Sequence, residues 1–247
     1  LKQFQSRLKA LNQITINLTR IESFDELLTQ SIKQAINHLG FTQISCRLID
    51  PEQPTRLLGG CKVGQNGEII LTKNEVITIP DDHPIFQIMI GKATNIIVRD
   101  TIIYDEDWNS IGHGDKAFSA ILNRDEFMGF LYTDNLYDNV PIAESQFELL
   151  NLYSATLGAL FNRQQTQEAL KKSEEEALHF QQRLKQLNEI TITLESVDSL
   201  DELCRQTVIL GREKLGFDRM GIWMADKDDL TMRRGMWVTD ADGNLRD

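Results

Sequence analysis

Thiols, imidazoles and carboxylates are the groups through which this chain could do chemistry, and they are few and scattered. Cys46, Cys61 and Cys204 would supply a nucleophile or a soft metal ligand if a base, a cation or a second thiol stood beside them. There is no CxxC pair and no disulfide-like framework. The histidines His38, His83, His113 and His179 offer an acid–base group or a metal ligand, but none adjoins a cysteine. The run Asp105-Glu106-Asp107 could attract a cation. It lacks the spaced oxygen ligands and the turn glycine of a calcium loop, so it reads as solvated loop. No nucleophile–base pair and no metal cluster emerges. The expectation is a chain that catalyses nothing itself and carries no metal or cofactor.

An internal duplication supports that expectation. Residues 4–50 and 180–226 align without a gap, with about 20 of about 47 positions identical. Cys46 then matches Ile222, Cys204 matches Leu28, and Cys61 falls against Met236. Thiols that exchange with apolar residues are small buried hydrophobes. His38 matches Lys214 and His179 matches Gln3, which are surface-type residues. His83 and His113 have no counterpart.

Composition excludes several function classes. Hydrophobic residues make up 41% and charged residues 26% of the chain, with a net charge of −11. Nucleic acid and anionic lipid both require a basic surface, so neither is an expected partner. No run approaches the roughly 18 apolar residues of a membrane span. The unpaired cysteines fit a reducing, cytoplasmic compartment. The chain does not begin with Met and is read as a fragment of a longer protein.

The elements that would position these residues are legible. Ser23–Glu26 and Ser199–Glu202 are capping boxes, each opening a helix that ends at Gly40 or Gly216. Ile44, Cys46 and Leu48 alternate with Ser45 and Arg47 as a half-buried strand. Further strands are expected at Leu57–Val63, Val76–Ile79 and Ile96–Val98, with a turn at Gln65-Asn66-Gly67. A short helix is expected over Ile85–Gly91. Arg99–Gly114, with Gly112 and Gly114, reads as a loop. Ala117–Asn123 and Phe127–Asp134 form a hairpin. A helix opens near Ala143–Ser145, and no glycine follows between Ala159 and Leu210.

That helix carries two seams at steps of three and four. One is Leu150, Tyr153, Leu157 and Leu160; the other is Ala177, Phe180, Leu184, Leu187, Thr191 and Leu194. They are out of phase by one residue, so a break or a change of supercoil is expected in the polar stretch Gln164–Glu176. Phe4, Leu8, Leu11, Thr15 and Leu18 make a comparable seam at the N-terminus.

Together these features define an α+β domain on an antiparallel sheet. The stretch FMGFLYTDNLYDNVPIAESQFELLNLYSATLGALFNRQQ at residues 127–165, with Gly129, Asp134 and Asn135 as matching points, resembles the last strand, connecting loop and closing helix of GAF domains. The LGF junctions and Thr239–Asp247 resemble segments of tandem GAF sensors such as bacterial sensor histidine kinases. The resemblance implies a six-stranded antiparallel sheet flanked by helices and joined to a long coiled-coil helix. The expected divisions are a signalling helix (1–22), a complete GAF domain (23–163), a linker helix (164–198) and the start of a truncated second domain (199–247). Those last residues bury too little surface to stand alone, so a partner chain or the linker helix is expected to order them.

The resemblance further implies a homodimer through the N- and C-terminal helices, and an effector domain in the same chain, such as a two-component histidine kinase. It also implies a cavity for a small ligand, flanked by Phe86, Met89, Ile90, Trp108, Ile111, His113, Phe118 and Ile121. Ordinary core packing is equally consistent with those residues. A bilin- or haem-binding sensor is one alternative, with His113 in the roof of the cavity. Cyclic-nucleotide binding is another: Asn123-Arg124 and Phe127 resemble part of that signature, but its Asp-Glu pair does not follow.

Overall fold

A computed structural model describes residues 2–50, 52–64, 67–73, 75–80, 83–104, 109–137, 139–225, 233–240 and 244–246. The chain divides into two compact units, Leu1–Glu168 and Ala169–Asp247. Among the described residues no helix is long and apolar enough to cross a membrane.

The first unit opens with α1 (Lys2–Leu18) and α2 (Phe24–Gln34), which runs into a π-helical turn at Ala35–Leu39. There follow β1 (Ser45–Asp50), β2 (Gln53–Val63), β3 (Ile69–Leu71), β4 (Val76–Thr78), α3 (Pro84–Met89), β5 (Asn95–Tyr104), β6 (Ser110–Asn123) and β7 (Glu126–Asp134). α4 (Glu144–Glu195) closes the series and continues into the second unit. The sheet runs β3-β2-β1-β7-β6-β5, and β4 pairs with β2 as a seventh strand. Every described pairing in it is antiparallel. The six-stranded antiparallel path and the long helix are as expected; β3 and β4 share the pairing edge of β2.

Both faces of the central strands are covered, which is why Ala117–Leu122 is apolar at nearly every position. Ala117 and Ile121 of β6, Leu131 of β7, Cys46 of β1 and Cys61 of β2 face one core. Leu11, Ile14 and Leu18 of α1, Leu27 and Ile32 of α2, and Leu149, Tyr153 and Leu157 of α4 belong to the same cluster. Phe118, Ala120, Phe130 and Leu57 form a second cluster with Ile85 and Ile88 of α3. Each large side chain buried this way contributes about 1.5–3 kcal/mol.

Several expectations need correction. Arg99–Gly114 is not one loop: β5 extends to Tyr104 and β6 starts at Ser110. Its glycines serve packing, since a Cβ at Gly114 would overlap the Asn135 carboxamide and crowd Ile103. Arg99 and Asp115 instead form a hub. Asp115 accepts from Arg99 and from the Asp100 and Ile142 amides, while Arg99 donates to the Ile142 carbonyl at 2.7 Å. Ser23 has N-cap dihedrals but its side chain caps nothing; Leu27 N–H bonds the Ser23 carbonyl at 2.9 Å. Ser145, which with Glu148 repeats the capping pattern in the sequence, lies within α4 and does not cap it. α4 passes through Gln164–Glu176 without a break, because Leu150, Tyr153, Leu157 and Leu160 are buried in their own domain. That first seam is intramolecular core, so it imposes no supercoil for the second to disrupt. The N-terminal seam is likewise drawn into this core at Leu11 and Leu18. The predicted turn residues Gln65 and Asn66 and the acidic run Asp105–Asp107 lie outside the described residues.

In the second unit α5 (Leu200–Leu215) precedes β8 (Gly221–Ala225), β9 (Arg233–Thr239) and β10 (Leu245–Arg246), in the order β10-β9-β8. Glu202 N–H bonds Ser199 Oγ at 3.1 Å, as a capping box requires. Gly216 ends α5 at φ 74°, as Gly40 ends the first copy at φ 78°. The sheet registers revise one alignment. Cys46 faces Cys61 across β1–β2, and Ile222 faces Trp237 across β8–β9. Cys61 therefore corresponds to Trp237, not Met236, and the match remains apolar. Cys204, Val208 and Gly211 are buried in α5, whereas Phe217 and Trp223 stay exposed.

One glycine sets how closely α4 approaches the sheet. A Cβ at Gly158 would run into the Leu122 carbonyl of β6. Alanine favours a free helix by about 1 kcal/mol over glycine, but overpacking against backbone costs about 1–3 kcal/mol. Gly158→Ala should therefore lower the midpoint of urea unfolding despite its better helix propensity.

Candidate functional site

The second core does not fill its side of the sheet. A cavity of about 480 Å³ remains there, a size typical of small-molecule sites. Its apolar surface comes from Leu57 of β2, Ile77 of β4, Ile79, Ile103 of β5, and Phe118 and Phe130 of β6 and β7. Phe118 holds this surface together, edge-on to Phe130 at 6.0 Å between centroids and tilted against Tyr132 at 5.1 Å. His83 lies edge-on to Phe118 at 5.8 Å, and its Nδ1 accepts the Ile85 N–H at 3.3 Å at the start of α3.

Charged groups complete the lining: Arg47, Lys62, Glu68, Lys116 and Asp134. Alternation places them, because Arg47 follows Cys46 in β1 and Lys116 precedes Ala117 in β6, so each points away from the α4 side. Most are balanced. Arg47 bonds Glu75 and, at 3.1 Å, Thr72; Lys62 approaches Glu75 at 3.7 Å. Burial pushes the Glu75 carboxyl up, but Arg47 and Lys62 outweigh it and hold it below its ordinary value. Asp134 accepts the Leu136 N–H at 3.0 Å and the Tyr132 hydroxyl. Burial, with the Asp134 charge and bond, drives the Tyr132 phenol well above its ordinary pKa, so it stays a neutral donor.

Lys116 is different. It is 6% exposed, and its ammonium stands over the Tyr104 ring at 5.1 Å. Asp134 is its cross-strand neighbour, yet among the described residues no carboxylate comes within ion-pair distance of the ammonium. Burial pulls its pKa below the ordinary lysine value, and Asp134 opposes that only in part.

The residues proposed from sequence divide. Phe118 and Ile111 line the cavity. Phe86 and Met89 pack against the second core instead, and Ile90 is exposed at the end of α3. Ile121 is buried on the opposite face of β6, since an odd step from Phe118 reverses a strand side chain. His113 is neither a loop residue nor a roof: it sits exposed in β6 opposite Ile102, and His83 is the histidine at the cavity. Trp108 lies outside the described residues. Sequence reasoning passed over Arg47, Lys116 and Asp134, whose signal was that a strand apolar on both faces must be covered on both.

No cysteine lines the cavity. Cys46 and Cys61 are cross-strand neighbours buried in the other core. Burial pushes the Cys61 thiol up to about 11 despite Arg47 nearby, and raises Cys46 further, with Cys61 adding to the effect. Both are protonated and shielded at neutral pH. Among the described residues no group of three His, Cys, Asp or Glu comes together to hold a metal. The native protein should release almost no thiol to a disulfide reagent over minutes, and all three cysteines should react after denaturation; rapid native labelling of Cys61 would contradict this packing.

This arrangement of sheet and helices is the fold of GAF domains. A GAF domain from a phosphoenolpyruvate-protein phosphotransferase of Coxiella burnetii superposes with a TM-score of 0.50 and 14% identity, over 67% of this chain and 98% of that one. A methyl-accepting chemotaxis protein, residues 122 to 287, gives a TM-score of 0.53 and 14% identity over 63% and 99%. The bacteriophytochrome RpBphP3 of R. palustris gives 0.52 and 11% identity over 90% of this chain and 49% of that one. No protein-family model and no curated protein matches the sequence.

Proposed function

We propose that the first unit is a non-catalytic sensory module, in which a small molecule in the sheet cavity alters the packing of α4 and so biases an effector domain in the same chain, such as a histidine kinase. The observation that carries this reading is the double duty of β6 and β7. Phe118 and Phe130 form the cavity surface, while the intervening Ser119, Ile121 and Leu131 face the core that holds α4. Ser119 Oγ meets Ser154 Oγ of α4 at 2.5 Å, Arg163 donates to the Thr19 carbonyl after α1 at 2.8 Å, and Gln164 bonds the Glu22 carbonyl. A ligand that shifts the strands differentially therefore has a contiguous physical route to both helices.

The recurrence of the α1, α2 and β1 pattern in α4, α5 and β8 supports reading the second unit as the start of a second GAF domain. Homodimerisation is proposed through the distal part of α4. Phe180, Leu184 and Leu187 are 64%, 46% and 44% exposed at coiled-coil spacing. Leu184→Lys with Leu187→Lys should shift the protein towards monomer in sedimentation velocity, with its helicity retained; an unchanged sedimentation coefficient would exclude this seam as the interface.

Signalling through α4 has its own test. One residue inserted between Gln164 and Glu176 rotates the following helix by about 100°. In the protein carrying its effector, the output should lose its dependence on ligand. Wild-type regulation after the insertion would overturn the proposal.

A further inference from the structure

We infer that the ligand of this cavity is a small organic acid: an apolar body seated on Phe118 and Phe130, and one carboxylate received by Lys116. The inference rests on the sensory reading above and specifies its ligand. Its basis is the charge inventory of the cavity. Arg47 and Lys62 have Glu75, Glu68 adds a carboxylate beside Lys62 in the lining, and Asp134 is held by Tyr132 and the Leu136 amide. Lys116 is more than nine-tenths buried, its ammonium stands over the Tyr104 ring, and it meets no carboxylate within ion-pair distance among the described residues. A buried unpaired charge is costly, and an anion brought by a ligand removes that cost only in the bound state.

The same inventory limits the class. A neutral polar ligand would leave the Lys116 charge uncompensated, and a cation would add repulsion against it. A phosphate dianion needs several donors or a second uncommitted cation, and the remaining cations here already face carboxylates. One ammonium beside a surface of Leu57, Ile79, Ile103, Phe118 and Phe130 suits a single carboxylate on an aromatic or branched aliphatic body. Burying that body supplies the non-directional part of the affinity, and the charge-assisted hydrogen bond fixes its orientation.

The test uses the whole chain and three probes sharing one body: 3-phenylpropionate, 3-phenylpropanamide and 3-phenylpropylamine, titrated by calorimetry at pH 7. The acid should bind about tenfold or more tightly than the amide, and the amine weakest. Lys116→Met should abolish the preference for acid over amide, while Lys116→Arg retains it. Lys116→Met should also raise the melting temperature of the ligand-free protein, because it removes the buried charge. If the amide or the amine binds as well as the acid, the anionic class is wrong and the sensory reading stands. If none of the three binds at about 10 mM, both readings are overturned. The comparison on wild-type protein decides the class even if a variant does not fold. Retention of the acid preference in Lys116→Met would assign the anion to another group and overturn the role of Lys116.

Discussion

The two-residue period of β6 and β7 is the constraint on which the rest of the structure depends. One set of side chains, Ala117, Ile121 and Leu131, must fit the helical layer. The alternate set, Phe118, Ala120 and Phe130, must fit the layer built from α3 and β2. A slip of one residue would exchange the two sets, placing aromatic rings under α4 and small residues beneath the cavity. Neither layer could then close. The strands thus connect a tightly packed face to a loosely packed one, with no side chain serving both.

The two faces differ in how they treat polarity. On the helical side Ser119 pairs with Ser154 and the Tyr153 hydroxyl with the Ser31 carbonyl at 2.6 Å, while Asn151 Oδ1 of α4 is buried without a hydrogen-bond partner among the described residues. The Arg99–Asp115 hub ties β5 and β6 to the segment that launches α4. Burial works against the Asp115 charge, but Arg99 and two amides outweigh it and lower its pKa. Its contribution is therefore complete above the ordinary carboxylate range and is lost as pH falls through the lowered value. On the cavity side the accounts are less complete, since Lys116 has an aromatic face and a distant carboxylate where a direct partner would be expected. Rigid support on one face and an unfilled site on the other is the arrangement a ligand-responsive domain needs.

What could be read from the sequence follows from range. The Gly40 and Gly216 termini, the β6–β7 hairpin and the long helix are local patterns, and each was legible, as was the duplication. The thiols were legible as core residues because the repeat pairs them with apolar positions. The cavity was less so. Its lining comes from all seven strands of the sheet, and Arg47 or Lys116 alone looks like the wet side of a half-buried strand. Glycines misled at 112 and 114, which lie within β6 and not in a turn. The first helical seam also misled, because the spacing that suits a coiled coil equally suits a helix lying on its own sheet. The second seam, by contrast, keeps Phe180 and Leu184 exposed.

In the proposed mechanism, occupancy of the cavity is felt by α4 through β6 and β7. Amide hydrogen exchange of the full chain, with and without saturating 3-phenylpropionate, tests it directly. Protection should change in β6 and β7 and, in the same titration, in α4 between Leu149 and Phe161, which does not line the cavity. A change confined to β2, β4 and α3, with α4 unaltered at saturation, would contradict the account.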